Sequence, residues 1–177
     1  MLQIQAGDAA QLAHLFERHH LALFRYVYQL TRNRALSEDL TQDVFLRVLK
    51  YASTYNSQYG FRSWIYGMAR NAFYDARHKV RGEVADLEMN EFRSSDPLAE
   101  DQITQQQNTR FLQAALNRLP DDKREVLELS RFQCMRHDEI ASILKCEVGT
   151  VKVRVFRALK ELREKFVEVS GRQLHDA

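Results

Sequence analysis

The sequence predicts an all-α protein, and three observations lead to that fold class. Apolar residues recur at helical spacing over long stretches, and no alternating run bounded by turn residues stands out as a strand. The chain has only six glycines and two prolines in 177 residues, so its helical patterns are seldom interrupted. Its 45% hydrophobic and 28% charged content is typical of a globular rather than a disordered chain. We expect two small helical domains joined by a flexible acidic linker, the C-terminal one carrying a helix-turn-helix.

The first two predicted helices cover residues 9–32 and 37–50. For the second, Ser37 is a good N-cap, and acidic residues follow it in the first turn, where the helix dipole favours them. The outer face of this helix carries a leucine among carboxylates and an amide, a composition that favours a protein-docking surface over a solvated face. That face consists of Asp39, Gln42, Asp43 and Leu46.

The third predicted helix, residues 61–81, interleaves basic and aromatic side chains on its outer stripe and follows a loop with three tyrosines, residues 51–60. Charge for the backbone and flat faces for unstacked bases are what a single-stranded nucleic acid requires. Packing of the aromatic residues on another helix is the alternative, and for Phe73 the two remain open. The outer stripe is Arg62, Tyr66, Arg70, Phe73, Tyr74, Arg77 and Arg81.

Charge divides the chain into two basic parts around an acidic segment. Residues 1–82 hold eleven Lys/Arg against six Asp/Glu, whereas residues 83–103 hold seven acids against Arg93 alone. Residues 104–177 hold fourteen Lys/Arg and eleven Asp/Glu. We therefore predict a linker at 83–103 between two lobes. In the second lobe, a helix over 104–119 ends at Pro120, and Asp121 and Asp122 cap the next helix, through residue 132.

Residues 138–163 have the form of two short helices joined by a tight turn at 145–147. An apolar stripe beginning at Val151 faces inward in the second helix, and a basic face lies opposite. Thr150, Val153 and Arg157 occupy the positions of a recognition helix that face base edges. Lys152 and Arg154 flank them, within reach of phosphates. A merely solvated basic face is the alternative, but the turn and the doubled basic flank favour DNA.

Other function classes have little support in the residues. We find no glycine-rich phosphate loop, nucleophile elbow or paired metal ligands, so we predict no enzyme, no cofactor, no metal and no small-molecule substrate. Cys134 and Cys146 fit neither a disulfide framework nor a common zinc spacing. No stretch approaches the ~20 apolar residues of a membrane span. With no signal-peptide pattern either, we expect a cytoplasmic protein without membrane insertion.

Three blocks in this order resemble the extracytoplasmic-function sigma factors, the minimal two-domain group of the sigma-70 family of bacterial transcription initiation factors. SEDLTQDVFLRVLKY resembles the family's segment for docking on core RNA polymerase, and FRSWIYGMARNAFYDARH its promoter-melting segment. LPDDKREVLELSRF and HDEIASILKCEVGTVKVRVFRALKELR resemble its fourth region. The resemblance covers nearly the whole chain.

The resemblance implies a subunit that binds core RNA polymerase and promoter DNA and directs promoter-specific transcription initiation, with an anti-sigma factor as its regulator. Residues 1–82 would bind polymerase and the minus-ten element, residues 104–170 would read the minus-thirty-five element, and residues 171–177 would form a tail. Polymerase would be bound by Asp39, Gln42, Asp43 and Leu46. The opened minus-ten strand would be bound by Tyr55, Asn56, Arg70, Asn71, Tyr74, Asp75 and Arg77. The minus-thirty-five duplex would be bound by Thr150, Lys152, Val153, Arg154 and Arg157.

The chain departs from the family pattern at position 153, which is valine where serine is common, in the centre of the readout face. This predicts a different base preference at a thymine-rich position. The alternative reading of the whole chain is a stand-alone helix-turn-helix regulator whose N-terminal lobe senses a ligand.

Overall fold

Every element that the structure describes is helical, which confirms the predicted all-α class. The structure is a computed structural model that describes residues 1–83 and 103–171. The predicted linker, apart from its two end residues, and the tail beyond Gly171 lie outside the described residues. No described helix is long and apolar enough to cross a bilayer. The helices are α1 (Leu2–Gln5), α2 (Gln11–Thr31), α3 (Arg34–Lys50), α4 (Phe61–Glu83), α5 (Ile103–Asn117), α6 (Asp121–Leu127), α7 (His137–Leu144) and α8 (Val148–Ser170).

Helices α1–α4 form the N-terminal lobe, in which α2 and α3 pack against each other and against α4. The buried side of α2 repeats at the spacing of one helical face, with Leu23, Tyr26, Val27 and Leu30 all inaccessible or nearly so. Two 3-10 turns, Ala52–Thr54 and Ser57–Tyr59, lie in the loop between α3 and α4.

The predicted N-cap of α3 is wrong. The helix begins at Arg34, and its N-cap is Asn33, whose side-chain oxygen accepts a hydrogen bond from the Leu36 amide at 3.0 Å. Ser37 lies inside the first turn and is fully buried. Its hydroxyl donates to the Asn33 carbonyl at 2.6 Å, the backward bond that serine makes within helices rather than at their starts.

Helices α5–α8 form the C-terminal lobe, which is organised around α8. Asp121 and Asp122 stand in the first turn of α6, directly after Pro120. The predicted single helix ends as a π-helical turn, Glu128–Phe132. Helix α7 ends at Leu144, and its C-cap residue Lys145 adopts the left-handed conformation (φ 52°). Helix α8 begins at Val148.

The two lobes share one hydrophobic core. Helix α4 packs on α7, and α2 packs on α6, so buried side chains form a continuous cluster from Leu23 to Ala158. This packing overturns part of the predicted outer stripe of α4. Tyr66 is buried, and its hydroxyl donates to Gln133 Oε1 of the other lobe at 2.6 Å. Phe73 is also buried, which decides between the two alternatives in favour of packing.

Candidate functional site: three surfaces for protein and nucleic acid

The predicted readout face of α8 is open to solvent. Val151, Val155 and Ala158 are buried along the stripe that packs on the rest of the lobe. The predicted minus-thirty-five residues lie elsewhere on the helix, and every one of them is exposed: Thr150, Lys152, Val153, Arg154 and Arg157. The buried apolar stripe and the exposed readout face therefore lie on different sides of α8, as the helical period predicts. The exposed side presents methyl, hydroxyl and guanidinium groups on one surface.

Phe156 is a residue of this face that the sequence prediction did not select. Its ring is 70% exposed, the most accessible large apolar side chain among the described residues. It lies beside Val153, which is 48% exposed. Two exposed apolar side chains therefore lie next to each other within a basic surface. The signal was present in the sequence, since position 156 falls on the outward side of the α8 period.

The predicted polymerase-docking residues share the outer side of α3. Asp39 and Gln42 are exposed, and Leu46 is 65% exposed. Asp43 is half-buried because the Arg47 guanidinium lies on it, with Nε 2.7 Å from Oδ2. The face thus combines an accessible apolar side chain with acidic and amide neighbours.

Arg47 also connects this face to α4. Its Nη1 lies 3.2 Å from Asp75 Oδ2, so one guanidinium pairs with a carboxylate of the predicted docking set and with a carboxylate of the predicted minus-ten set. Burial lowers the pKa of the Arg47 guanidinium, but the two carboxylates outweigh that effect, so the pKa is raised. Sequence reasoning did not identify this residue, because only the packing of α3 on α4 brings Asp43 and Asp75 to the same side chain.

The basic residues of the predicted minus-ten surface meet the C-terminal lobe. Arg70 Nε lies 3.0 Å from Glu125 Oε1, and Arg77 Nη1 lies 3.1 Å from Asp121 Oδ2. The Arg70 guanidinium also covers the Tyr74 ring, 4.6 Å from its centroid. Asn71 and Asp75 are exposed on the same helix.

The loop residues predicted for minus-ten contact are engaged within their own lobe. The half-buried Tyr55 ring lies edge-on against Trp64, at a centroid distance of 5.3 Å. The Asn56 side chain accepts from the Gln58 amide at 3.0 Å and thereby caps a 3-10 turn. Asn56 remains exposed next to the ring cluster.

Glu125 is the most constrained carboxylate at the junction of the two lobes. Only 3% of the residue is exposed, and its Oε1 accepts from the Tyr26 hydroxyl at 2.9 Å as well as from Arg70. Burial raises the pKa of Glu125, while Arg70, the Tyr26 hydroxyl and Arg154 of α8 oppose that shift. Burial likewise raises the pKa of Tyr26 well above its usual value.

Family models match the chain in both lobes. The model of sigma-70 region 2 matches residues 15–82, and that of sigma-70 region 4 matches residues 111–162. The chain is 30% identical to the ECF RNA polymerase sigma factor SigE of Mycolicibacterium smegmatis over 178 residues, 97% of this chain and 68% of the relative. The chain belongs to the extracytoplasmic-function sigma factors of the sigma-70 family. A second relative, SigX of Bacillus subtilis, is 27% identical over 92% of this sigma factor and 86% of its own length.

Two solved structures share the fold of this sigma factor. The sigma factor RpoE in complex with the anti-sigma factor NepR, from Bartonella quintana, superposes with a TM-score of 0.73 at 26% identity. That match covers 86% of this sigma factor and 94% of the RpoE chain. CnrH, in complex with the cytosolic domain of CnrY, shares the fold at 21% identity with a TM-score of 0.66 over 92% of each chain.

Proposed function

We propose that this sigma factor docks on core RNA polymerase through α3, reads the minus-thirty-five duplex with α8, and holds the opened minus-ten strand on α4 and the preceding loop. The observation that carries the proposal is the face of α8, where the five predicted readout residues are all exposed while the apolar stripe is buried. Residues 1–82 then act as the polymerase and minus-ten module and residues 104–170 as the minus-thirty-five module, joined by residues 83–103.

Duplex readout follows from the chemistry of the α8 face. Arg157 can donate two hydrogen bonds to a guanine edge, and the Val153 and Thr150 methyl groups suit a thymine methyl. Lys152 and Arg154 are placed to bind phosphates on either side of the groove. Phe156 extends the apolar part of the face, so we add it to the readout set.

Polymerase docking uses Leu46 as an apolar anchor among Asp39, Gln42 and Asp43. When the leucine is buried against a partner, its polar neighbours exclude water from it, as the rim does around a binding hot spot. The ion pair to Arg47 limits the rotamers of Asp43. Docking therefore costs less side-chain entropy at this carboxylate than it would at a free one.

Strand capture uses charge and flat rings. On binding DNA, the guanidinium groups of Arg70 and Arg77 exchange their carboxylate partners for backbone phosphates, and the Tyr74 ring and Asn71 amide then contact unpaired bases. Asp75 adds a carboxylate further along α4, and Tyr55 and Asn56 complete the set in the loop before the helix. Unpaired bases extruded from the duplex are bound in this way at the cost of their stacking energy.

Catalysis on this account belongs to the polymerase, and the sigma factor is a regulatory subunit rather than an enzyme, acting in the cytoplasm where polymerase and promoters are. Its regulator is an anti-sigma factor, as the complex of the similar sigma factor RpoE with the anti-sigma factor NepR supports.

Run-off transcription with purified core polymerase and genomic DNA tests the proposal. Asp43→Arg should abolish polymerase binding, and Arg157→Ala should reduce promoter-specific transcript by about 10- to 100-fold, because a good arginine–guanine contact is worth about 1–3 kcal/mol. Lys165→Ala is the matched control, since Lys165 lies on the same helix and pairs with Glu168 instead. Equal transcript from all three variants would refute the assignment of the surfaces.

A further inference from the structure

The shortest helix of the N-terminal lobe, α1, lies against the loop that is proposed to contact the minus-ten strand. It precedes the part of the chain that the sigma-70 region 2 model matches, which begins at residue 15. A helix of four residues is not stable by itself in water, so packing must hold it in place. Its Ile4 side chain is buried, and α1 contacts both α2 and the 3-10 turn Ala52–Thr54.

Gln5, the last residue of α1, joins this helix to the loop by two hydrogen bonds. Its side-chain amide nitrogen donates to the Ala52 carbonyl at 2.9 Å and to the Tyr55 carbonyl at 3.0 Å. A primary amide carries two N–H donors, so one side chain can satisfy both acceptors. The Ala52 carbonyl also accepts from the Tyr55 amide at 3.1 Å, which places the two carbonyls at the start and the end of the 3-10 turn. Gln5 therefore holds both ends of that turn.

The turn that Gln5 holds sets the course of the chain at the two loop residues proposed to contact DNA. Tyr55 leaves the turn in an extended conformation (φ −68°, ψ 124°), and its ring lies edge-on to Phe61 at a centroid distance of 6.3 Å. Asn56 follows directly and caps the second 3-10 turn. A shift of the backbone at Tyr55 therefore moves the Tyr55 ring and the Asn56 side chain together.

Holding this loop before DNA binds lowers the cost of strand capture. Ordering a flexible segment costs conformational entropy at every residue, and a loop that becomes ordered only on binding loses that free energy from its affinity. We propose that Gln5 is a positioning residue for the minus-ten strand, which holds the loop so that Tyr55 and Asn56 meet unpaired bases and does not itself contact DNA. This role rests on the proposed function, which assigns those two residues to the strand.

The consequence for DNA is a loss of selectivity rather than a general loss of affinity. Phosphate contacts from Arg70 and Arg77 carry no sequence information, whereas contacts from the loop to unpaired bases do. Releasing the loop should therefore weaken binding of the correct strand and leave binding of other strands unchanged. A residue that only stabilised the fold would instead affect all strands alike.

The test makes the same substitution at two positions of α1. Gln5→Glu keeps the size of the side chain but replaces the amide donor by a carboxylate, which then faces two carbonyl oxygens. Gln3→Glu makes the same change in charge at another exposed position of the helix. Each purified variant is assembled with core polymerase, and fluorescence anisotropy measures its affinity for two fluorescein-labelled single strands. One strand carries the minus-ten sequence of a start site mapped by run-off transcription, and the other has the same bases in scrambled order.

We expect Gln5→Glu to reduce the ratio of the two affinities about tenfold, the size of effect that two lost hydrogen bonds produce. Gln3→Glu should leave the ratio unchanged, and Gln5→Lys should retain most of it, because an ammonium group can donate to the same carbonyls. An unchanged ratio in Gln5→Glu, or equal losses in Gln5→Glu and Gln3→Glu, would overturn the proposal. An unmodified chain whose complex with polymerase binds both strands equally would instead refute the proposed function.

Hydrogen exchange in the free chain tests the same role without DNA. The Tyr55 amide, which donates to the Ala52 carbonyl within the turn, should exchange about tenfold faster in Gln5→Glu than in Gln3→Glu. The amide of Ala69, a fully buried residue of α4, should exchange at the same rate in both variants. Equal exchange of the Tyr55 amide in the two variants, or faster exchange at Ala69 as well, would overturn a local positioning role.

Discussion

The hydrogen bond from Tyr26 to Glu125 predicts a measurable loss of stability when its donor is removed. The Tyr26 hydroxyl donates at 2.9 Å to a carboxylate that is 3% exposed, so water cannot replace the lost donor. Hydrogen bonds to charged groups contribute about 1.5–3 kcal/mol net. Because phenylalanine fills the same space, Tyr26→Phe creates no large cavity. We expect the free energy of unfolding to fall by about 2 kcal/mol.

Tyr66→Phe is the matched comparison. This tyrosine is also buried, but its hydroxyl donates to the neutral Gln133 amide oxygen at 2.6 Å, so its removal should cost about 1 kcal/mol. Urea unfolding followed by the fluorescence of Trp64 and by circular dichroism measures both. A single transition is expected with each probe, because one hydrophobic cluster spans both lobes. Separate transitions for the two lobes, or equal losses in the two variants, would refute the reasoning.

Three further predictions concern the docking face, base readout and pH. Leu46→Asp should abolish binding to core polymerase with little change in thermal midpoint, since the side chain is 65% exposed, whereas Leu21→Asp, at a 60% exposed position outside that face, should leave binding intact. Val153→Ser should change the preference between bases at one promoter position by about 1–3 kcal/mol, the usual cost of one mismatched base pair, and should change overall affinity less; equal losses on all promoter variants would contradict this. Burial raises the pKa of the Glu128 carboxyl group, so the folded chain binds the carboxyl proton more tightly than the unfolded chain does. The ionised carboxylate present at neutral pH therefore destabilises the fold. Glu128→Gln should therefore raise the thermal midpoint near pH 7, by an amount that shrinks as the pH falls toward the ordinary carboxyl pKa of about 4.3; a difference independent of pH would contradict the assignment.

The helices and the outward faces of α3 and α8 were predictable because one side of each is buried at a regular period. In α8 the buried Val151, Val155 and Ala158 define the inner stripe, and the exposed Val153 and Arg157 follow from the same geometry. Predicting those faces requires only the local sequence, because any element that packs on the inner stripe of a helix leaves the opposite side exposed.

The packing of the lobes was not predictable in this way. Periodicity places Tyr66 and Arg70 on a face of α4, but it does not show that α6 and the segment after it cover that face. Their partners, Gln133 and Glu125, lie 67 and 55 residues further along the chain. The start of α3 was mispredicted for a local reason. Both Asn33 and Ser37 suit an N-cap, but the Ser37 hydroxyl is buried against the Thr31 hydroxyl, with the two oxygens 2.6 Å apart.

Mapping the 5′ ends of transcripts made by core polymerase with and without the purified chain is the most direct measurement of the central claim. The account predicts new start sites at a fixed distance downstream of a shared pair of sequence elements, absent from the core enzyme alone. A chain that binds duplex DNA tightly by itself, yet adds no start site when core polymerase is present, would contradict it and favour a stand-alone helix-turn-helix regulator.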